Sequence, residues 1–276
     1  MSKAASKPNA TVERWNIHQR LQHILLVVAT SVLILTGFPI KYHALPWAHT
    51  VTGWVGGFES LFALHLAAAV LLILTSVYHV VYLLVYWRKQ GPSWAMVPRW
   101  RDLRDAWQHA LHLIGLRREA PHFDRYTYME KFEYLAVFWG MAFMGGSGLA
   151  LWLPVQAARI LPPWGLEVVR VIHSNEAFIA MLALAFGHFF AVHFHPSVFP
   201  NSQVWLSGRI SLNRLAEEHP AELERLVSAG KISAEGAAAA RQHQEIHRPL
   251  MLWVELALYG AVFAWLLLTF VPMLFA

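Results

Sequence analysis

Residues 61–87 read LFALHLAAAVLLILTSVYHVVYLLVYW, without a single Asp, Glu, Lys or Arg. A helix needs about 20 apolar residues to cross the hydrocarbon core of a bilayer, so this stretch is long enough to span it. It also carries two histidines, His65 and His79, 14 residues apart. A second apolar stretch, residues 171–193, reads VIHSNEAFIAMLALAFGHFFAVH and carries His173 and His188, 15 residues apart. At about 1.5 Å rise per residue, each pair is separated by roughly 21–22 Å along a helix axis. The pairs turn by about −40° and +60° around that axis, so each stays broadly on one face. Histidine inside a membrane span is costly and usually functional.

The rest of the chain agrees with a membrane class. Of its 276 residues 57% are hydrophobic and 14% charged, against about a quarter charged in a soluble domain. Five stretches are long enough to span: Leu21–Ile40, Leu61–Trp87, Phe132–Leu153, Val171–His193 and Leu250–Leu274. The first is no cleavable signal, because it lacks a small-residue cleavage site and Arg14, His18, Arg20 and His23 crowd its start. The expected fold class is an all-α integral membrane protein, a four-helix bundle plus a fifth transmembrane helix. The net charge of +5 is a topology signal, not a nucleic-acid signal. Nineteen Lys and Arg fall on one side of the five spans and three on the other. The positive-inside rule then puts the N-terminus in the cytoplasm and the C-terminus outside, in a multi-pass protein of the bacterial cytoplasmic membrane. On this topology His65 and His173 share the outer level, and His79 and His188 the inner one.

Cysteine is absent. That excludes covalent haem, thiolate iron–sulfur ligation and disulfides in this chain. No phosphate-binding or dinucleotide motif is present either. Two facing helices with matched histidine levels suit another chemistry: they can clamp two haems b stacked across the bilayer. A neutral imidazole binds haem iron through one ring nitrogen, while the other donates to a carbonyl or hydroxyl that fixes the ring. Two such ligands close the coordination sphere, so the iron transfers electrons and does not activate oxygen. His23, at the start of the first span, lies at much the same depth as His79 and His188. The alternative reading is that these histidines are interfacial or partner other polar groups.

The connections add two elements. Within Gly91–Arg125, the residues Leu103, Ala106, Trp107, Ala110, Leu111 and Ile114 recur at helical spacing between polar positions. This predicts an amphipathic helix lying on membrane lipid, or a docking face for a cytoplasmic partner. Residues 201–248 form a soluble cytoplasmic connection, with a helix start at Pro220, a stop at Gly230 and a second short helix from Ser233. Its Ser207–His247 stretch, about 40 residues, is expected to have no core of its own. The domain reading is a core over residues 1–200, this connection, and a fifth membrane helix over 249–276.

Several motifs resemble the cytochrome b subunits of membrane-bound formate dehydrogenases and nickel–iron hydrogenases. They are Arg20 with His23, Leu64-His65, the element Tyr126–Lys131, Ile172-His173 and His188 with Phe189, Phe190 and Ala191. Ser207–Ile210 followed by Ala216–Pro220 resembles a further stretch of that family. The resemblance covers roughly residues 14–220. It implies an outer haem held by His65 and His173 and an inner haem held by His23 and His188. This chain differs by having His79, a span-four spacing of 15 instead of 14, and a fifth span. The inner ligand opposite His188 is therefore His79 by spacing or His23 by resemblance. A third haem, for example between His23 and His193, is a further option. The resemblance also implies a quinone site near the opening of span three, where Thr127, Met129 and Glu130 stand. His18, Glu130 and Lys131 are the inner-surface groups suited to proton exchange with a quinone.

The expected function is a relay of electrons between quinone or quinol and a partner redox subunit. The partner expected is an extracytoplasmic protein carrying cytochrome c or iron–sulfur centres. Two other classes stay open: a haem-free transporter or anchor, and a cytochrome b reductase that works without quinone.

Overall fold

The computed structural model describes residues 10–242, apart from 92, 196, 197 and 200. The expected fifth span, Leu250–Leu274, lies outside the described residues. The described chain divides into two compact units, one of residues 15–107 and 126–182, the other of residues up to 14, 108–125 and from 183 onward.

The first unit is built on long helices. Asn16 opens α1 (Ile17–Lys41) through a capping box, in which the Asn16 side chain accepts from the Gln19 N–H and the Gln19 side chain accepts from the Asn16 N–H. A short helix α2 (Pro46–Trp54), which hydropathy did not signal, occupies the first connection and leads to α3 (Phe58–Gln90). The helix α1 buries Gln22, Ala29 and Thr36; α3 buries Leu61, Ala68 and Thr75. Both sets step by seven residues, about two helical turns, so each forms a stripe along its helix. Alanine and threonine in those stripes are small enough to let helix backbones approach closely. The amphipathic helix α4 (Trp100–Leu113) buries Asp105 and exposes Trp100, Leu103 and Trp107. That leaves its apolar stripe open, as lying on lipid requires.

Thr127 caps α5 (Tyr128–Trp152) and a short turn α6 (Pro154–Ala157) follows it. The last span runs from Gly165 to His193. It comprises α7 (Gly165–Leu182), a π-helical turn over Ala183–His188, and α8 (Phe189–His193). Helices α1, α3, α5 and the Gly165–His193 run are each long and apolar enough to cross a membrane. Their outward faces expose large apolar side chains such as Leu35, Leu74, Phe132, Phe138 and Ile179. The fold is an all-α integral membrane bundle.

The second unit corrects one expectation. Residues 201–242 do possess a core, made by Ile210, Leu212, Leu215, Ala216, Leu223, Ile232, Ala237 and Ala240. The N-terminal segment completes it: Ala10 and Val12 pack against this cluster. The strand β1 (Thr11–Glu13) pairs antiparallel with β2 (Arg209–Ser211), with Val12 opposite Ile210. A one-turn helix α9 (Val204–Ser207) precedes β2. After β2 come α10 (Leu212–Glu218), α11 (Pro220–Ser228) and α12 (Ala234–Gln242). Gly230, with φ of 67°, follows the end of α11 in the left-handed conformation that glycine adopts without strain. Buried Glu222 binds both Arg14 and Arg125, while Arg14 also donates to the Arg125 carbonyl. His219 donates from Nδ1 to the Asp124 carbonyl at 2.7 Å, which leaves Nε2 to face Arg14 at 3.0 Å. This charge-assisted network joins three distant stretches of chain.

Candidate functional site

Two histidines of the first unit share one arrangement. Thr36 Oγ1 on α1 donates to the Val32 carbonyl at 2.7 Å and lies 2.8 Å from His65 Nδ1 on α3. A hydroxyl has one proton, so Thr36 must accept from His65 Nδ1–H. Ser147 Oγ on α5 repeats this: it donates to the Phe143 carbonyl at 2.6 Å and accepts from His173 Nδ1–H on α7 at 2.9 Å. Each hydroxyl is followed by a glycine that makes room for the ring. A Cβ on Gly37 would stand 3.3 Å from His65 Cε1, and one on Gly148 would stand 3.2 Å from His173 Cε1. Both rings are thus oriented through Nδ1, and no hydrogen bond among the described residues uses either Nε2. That is the donor set that axial ligation of haem iron requires.

The chain matches the family described as Prokaryotic cytochrome b561 over residues 9–205. It belongs to that family. It is thus a membrane cytochrome b of electron transfer, which binds haem b. The haem-free reading falls with that membership. No curated protein matches the chain at significance.

The cytochrome's other candidate residues have different surroundings. His79, one face of α3 further along, uses both ring nitrogens. Nδ1 lies 2.8 Å from Gln22 Oε1 and Nε2 lies 2.8 Å from Tyr134 Oη. His23 stands one residue beyond Gln22, its ring edge-on to Trp15 with centroids 5.2 Å apart. His18 is exposed on the first turn of α1, with Nδ1 at 2.8 Å from Tyr78 Oη and its ring 5.8 Å from that of Tyr82. His188 belongs to the second unit, where it ends the π-helical turn. A π turn closes with i→i+5 bonds and so takes in one residue more than an α turn. The extra residue that lengthens the His173–His188 spacing to 15 therefore has a place within the helix. His193 closes α8, with its ring 4.3 Å from that of Phe189.

Three of the groups suited by sequence to a quinone have structural duties. Thr127 and Glu130 form the capping box of α5, with Glu130 accepting from the Thr127 N–H at 2.7 Å. Lys131 is buried and pairs with Asp102 of α4 at 2.7 Å, tying the amphipathic helix to α5. Met129 is exposed.

Sequence reasoning did not assign Thr36, Ser147, Gln22 or Tyr134. A signal for the first two exists: Thr36-Gly37 and Ser147-Gly148 repeat a hydroxyl-glycine pair in the two halves of the bundle.

Proposed function

We propose that this cytochrome relays electrons between the quinone pool and a partner redox subunit, through two haems b. His65 and His173 ligate one haem. The observation that carries this is the repeated hydroxyl–histidine–glycine arrangement, which prepares both rings identically and leaves both Nε2 atoms for a metal. By resemblance, His188 and His23 are the ligands of the other haem. For that second pair the support is the family resemblance, together with the engagement of both His79 nitrogens by Gln22 and Tyr134. The membrane helices within residues 15–193 do the electron transfer, and residues 201–242, with the N-terminal segment packed on them, form the cytoplasmic connection.

Haem b held by these histidine pairs would supply one-electron exchange. The chain's residues do the remainder. His18, hydrogen-bonded to Tyr78 at the exposed start of α1, accepts a proton from the quinol in this reading as electrons leave it. The end of the bundle holding His65 and His173 exposes Trp54, Ile160 and Trp164 in its charge-poor connections. That surface suits an extracytoplasmic partner carrying cytochrome c or iron–sulfur centres.

The test uses the purified, haem-loaded chain in detergent. Quinol added anaerobically should reduce the haem within the mixing experiment. His18→Ala should slow that reduction at least tenfold, with haem content unchanged. Unchanged reduction in His18→Ala removes His18 from the quinone site, and a parent haem that no quinol reduces overturns the quinone link.

A further inference from the structure

Beyond the iron ligands, the bundle end that carries His65 and His173 holds donors without acceptors. Tyr42 caps the C-terminus of α1 and Trp47 stands in the first turn of α2, their rings 6.2 Å apart. The Tyr42 hydroxyl and the Trp47 indole N–H are both buried, and neither has a hydrogen-bond partner among the described residues. Buried donors left unmet are rare in native proteins, because each loses its water without compensation. Beside them is a cation: Lys41 Nζ lies 5.4 Å from the centre of the Tyr42 ring. Its own bonds are long, 3.3 Å to Asn175 Oδ1 and 3.5 Å to the Ser174 carbonyl. An indole N–H and an ammonium can only donate. Two buried, unmet donors near an ammonium suit an anionic, acceptor-only group such as a carboxylate.

The position of these residues says which carboxylate. Gly37, five residues before Tyr42 on α1, backs onto His65. Ser174 and Asn175, which Lys41 reaches, directly follow His173 on α7. Phe38 of α1 meets Phe178 of α7 with ring centroids 6.3 Å apart. Lys41 thus reaches the residues that follow His173, and Tyr42, with Trp47 against it, follows the end of the helix whose Gly37 backs onto His65.

We infer that Lys41, Tyr42 and Trp47 bind the propionate carboxylates of the haem held by His65 and His173. The inference rests on that haem assignment. Its chemistry has a sign. Donors and a positive charge on the propionates offset their negative charge, which otherwise favours ferric iron. Removing them lowers the reduction potential of this haem and leaves the other unmoved.

The experiment is a spectroscopic redox titration of the purified haem-loaded chain. The component lost in His65→Ala identifies the haem in question. Tyr42→Phe and Trp47→Phe each keep an aromatic ring, and Lys41→Met keeps the length of the side chain. The Tyr42→Phe/Trp47→Phe pair and Lys41→Met should each shift the reduction equilibrium of this haem toward ferric by about tenfold, about 59 mV for one electron. The second arm loads the same proteins with haem b dimethyl ester, which has no free carboxylate; there the substitutions should have no effect. A potential that does not move overturns the inference. So does a shift that persists with the diester, which assigns the pocket to another anion, a partner carboxylate or a lipid phosphate. Failure of the underlying haem assignment is separate, since it shows as full haem retention in His65→Ala and His173→Ala.

Discussion

His65 and His79 stand on the same helix, α3, in the same apolar run, yet the bundle treats them in opposite ways. His65 meets one hydroxyl through Nδ1 and keeps its other nitrogen unengaged among the described residues. His79 is closed on both sides, by an amide from α1 and a phenol from α5. One is prepared for a metal; the other cross-links three helices. Depth in a membrane span therefore does not make a histidine a ligand. In the proposed reading, the number of ring nitrogens that the protein itself consumes does.

The largest test of that contrast is deletion. His65→Ala and His173→Ala should each remove one haem and leave the second spectrally present, measured as pyridine haemochrome per chain. His79→Ala should keep the full haem content. Loss of haem in His79→Ala would mean that the Tyr134 bond gives way on loading, and His79 would replace His23 opposite His188.

A next test asks what His79 does instead. Tyr134→Phe removes the phenol from Nε2 and leaves the ring one partner short. Hydrogen bonds between membrane helices contribute about 0.6 kcal/mol on average and up to about 1.7. Thermal unfolding in detergent should move down by that amount, while the reduced spectrum stays as in the parent. Thr36→Val should do the reverse: the spectrum and potential change while the fold persists. Groups that orient a metal-bound histidine are typically worth 10–100-fold in metal affinity, so haem should be retained more weakly by about that factor. Without the Thr36 acceptor the His65 ring donates less charge to iron, which favours the ferrous state, so the potential rises. Ser147→Ala should behave likewise through His173. This upward shift is opposite in sign to that expected at Lys41, Tyr42 and Trp47. The smallest effect is expected at the glycines. Gly37→Ala and Gly148→Ala place a methyl 3.3 and 3.2 Å from the ligand rings, which must then give by a few tenths of an ångström. A small change in the low-spin electron paramagnetic resonance signal of this haem, with unchanged haem content, is the expected readout.

The sequence by itself determined where the membrane helices run and which histidines are worth asking about. Hydropathy and helical spacing are local, carried by residues within one or two turns, so α1, α3 and α5 begin and end close to their predicted bounds. The cysteine-free composition confined any haem to histidine or methionine. What only the tertiary structure decided is the state of each ring. His65 takes its partner from 29 residues away, His173 from 26, and His79 from 57 and 55. No periodicity within a helix reports such partners, because a tautomer is fixed by a group on another helix. The same reason hid the core of residues 201–242, which needs Val12 from the far end of the chain to cover Ile210. It hid the π turn before His188 too, since the choice between i→i+4 and i→i+5 bonding depends on what the helix must reach, and apolar composition is indifferent to it.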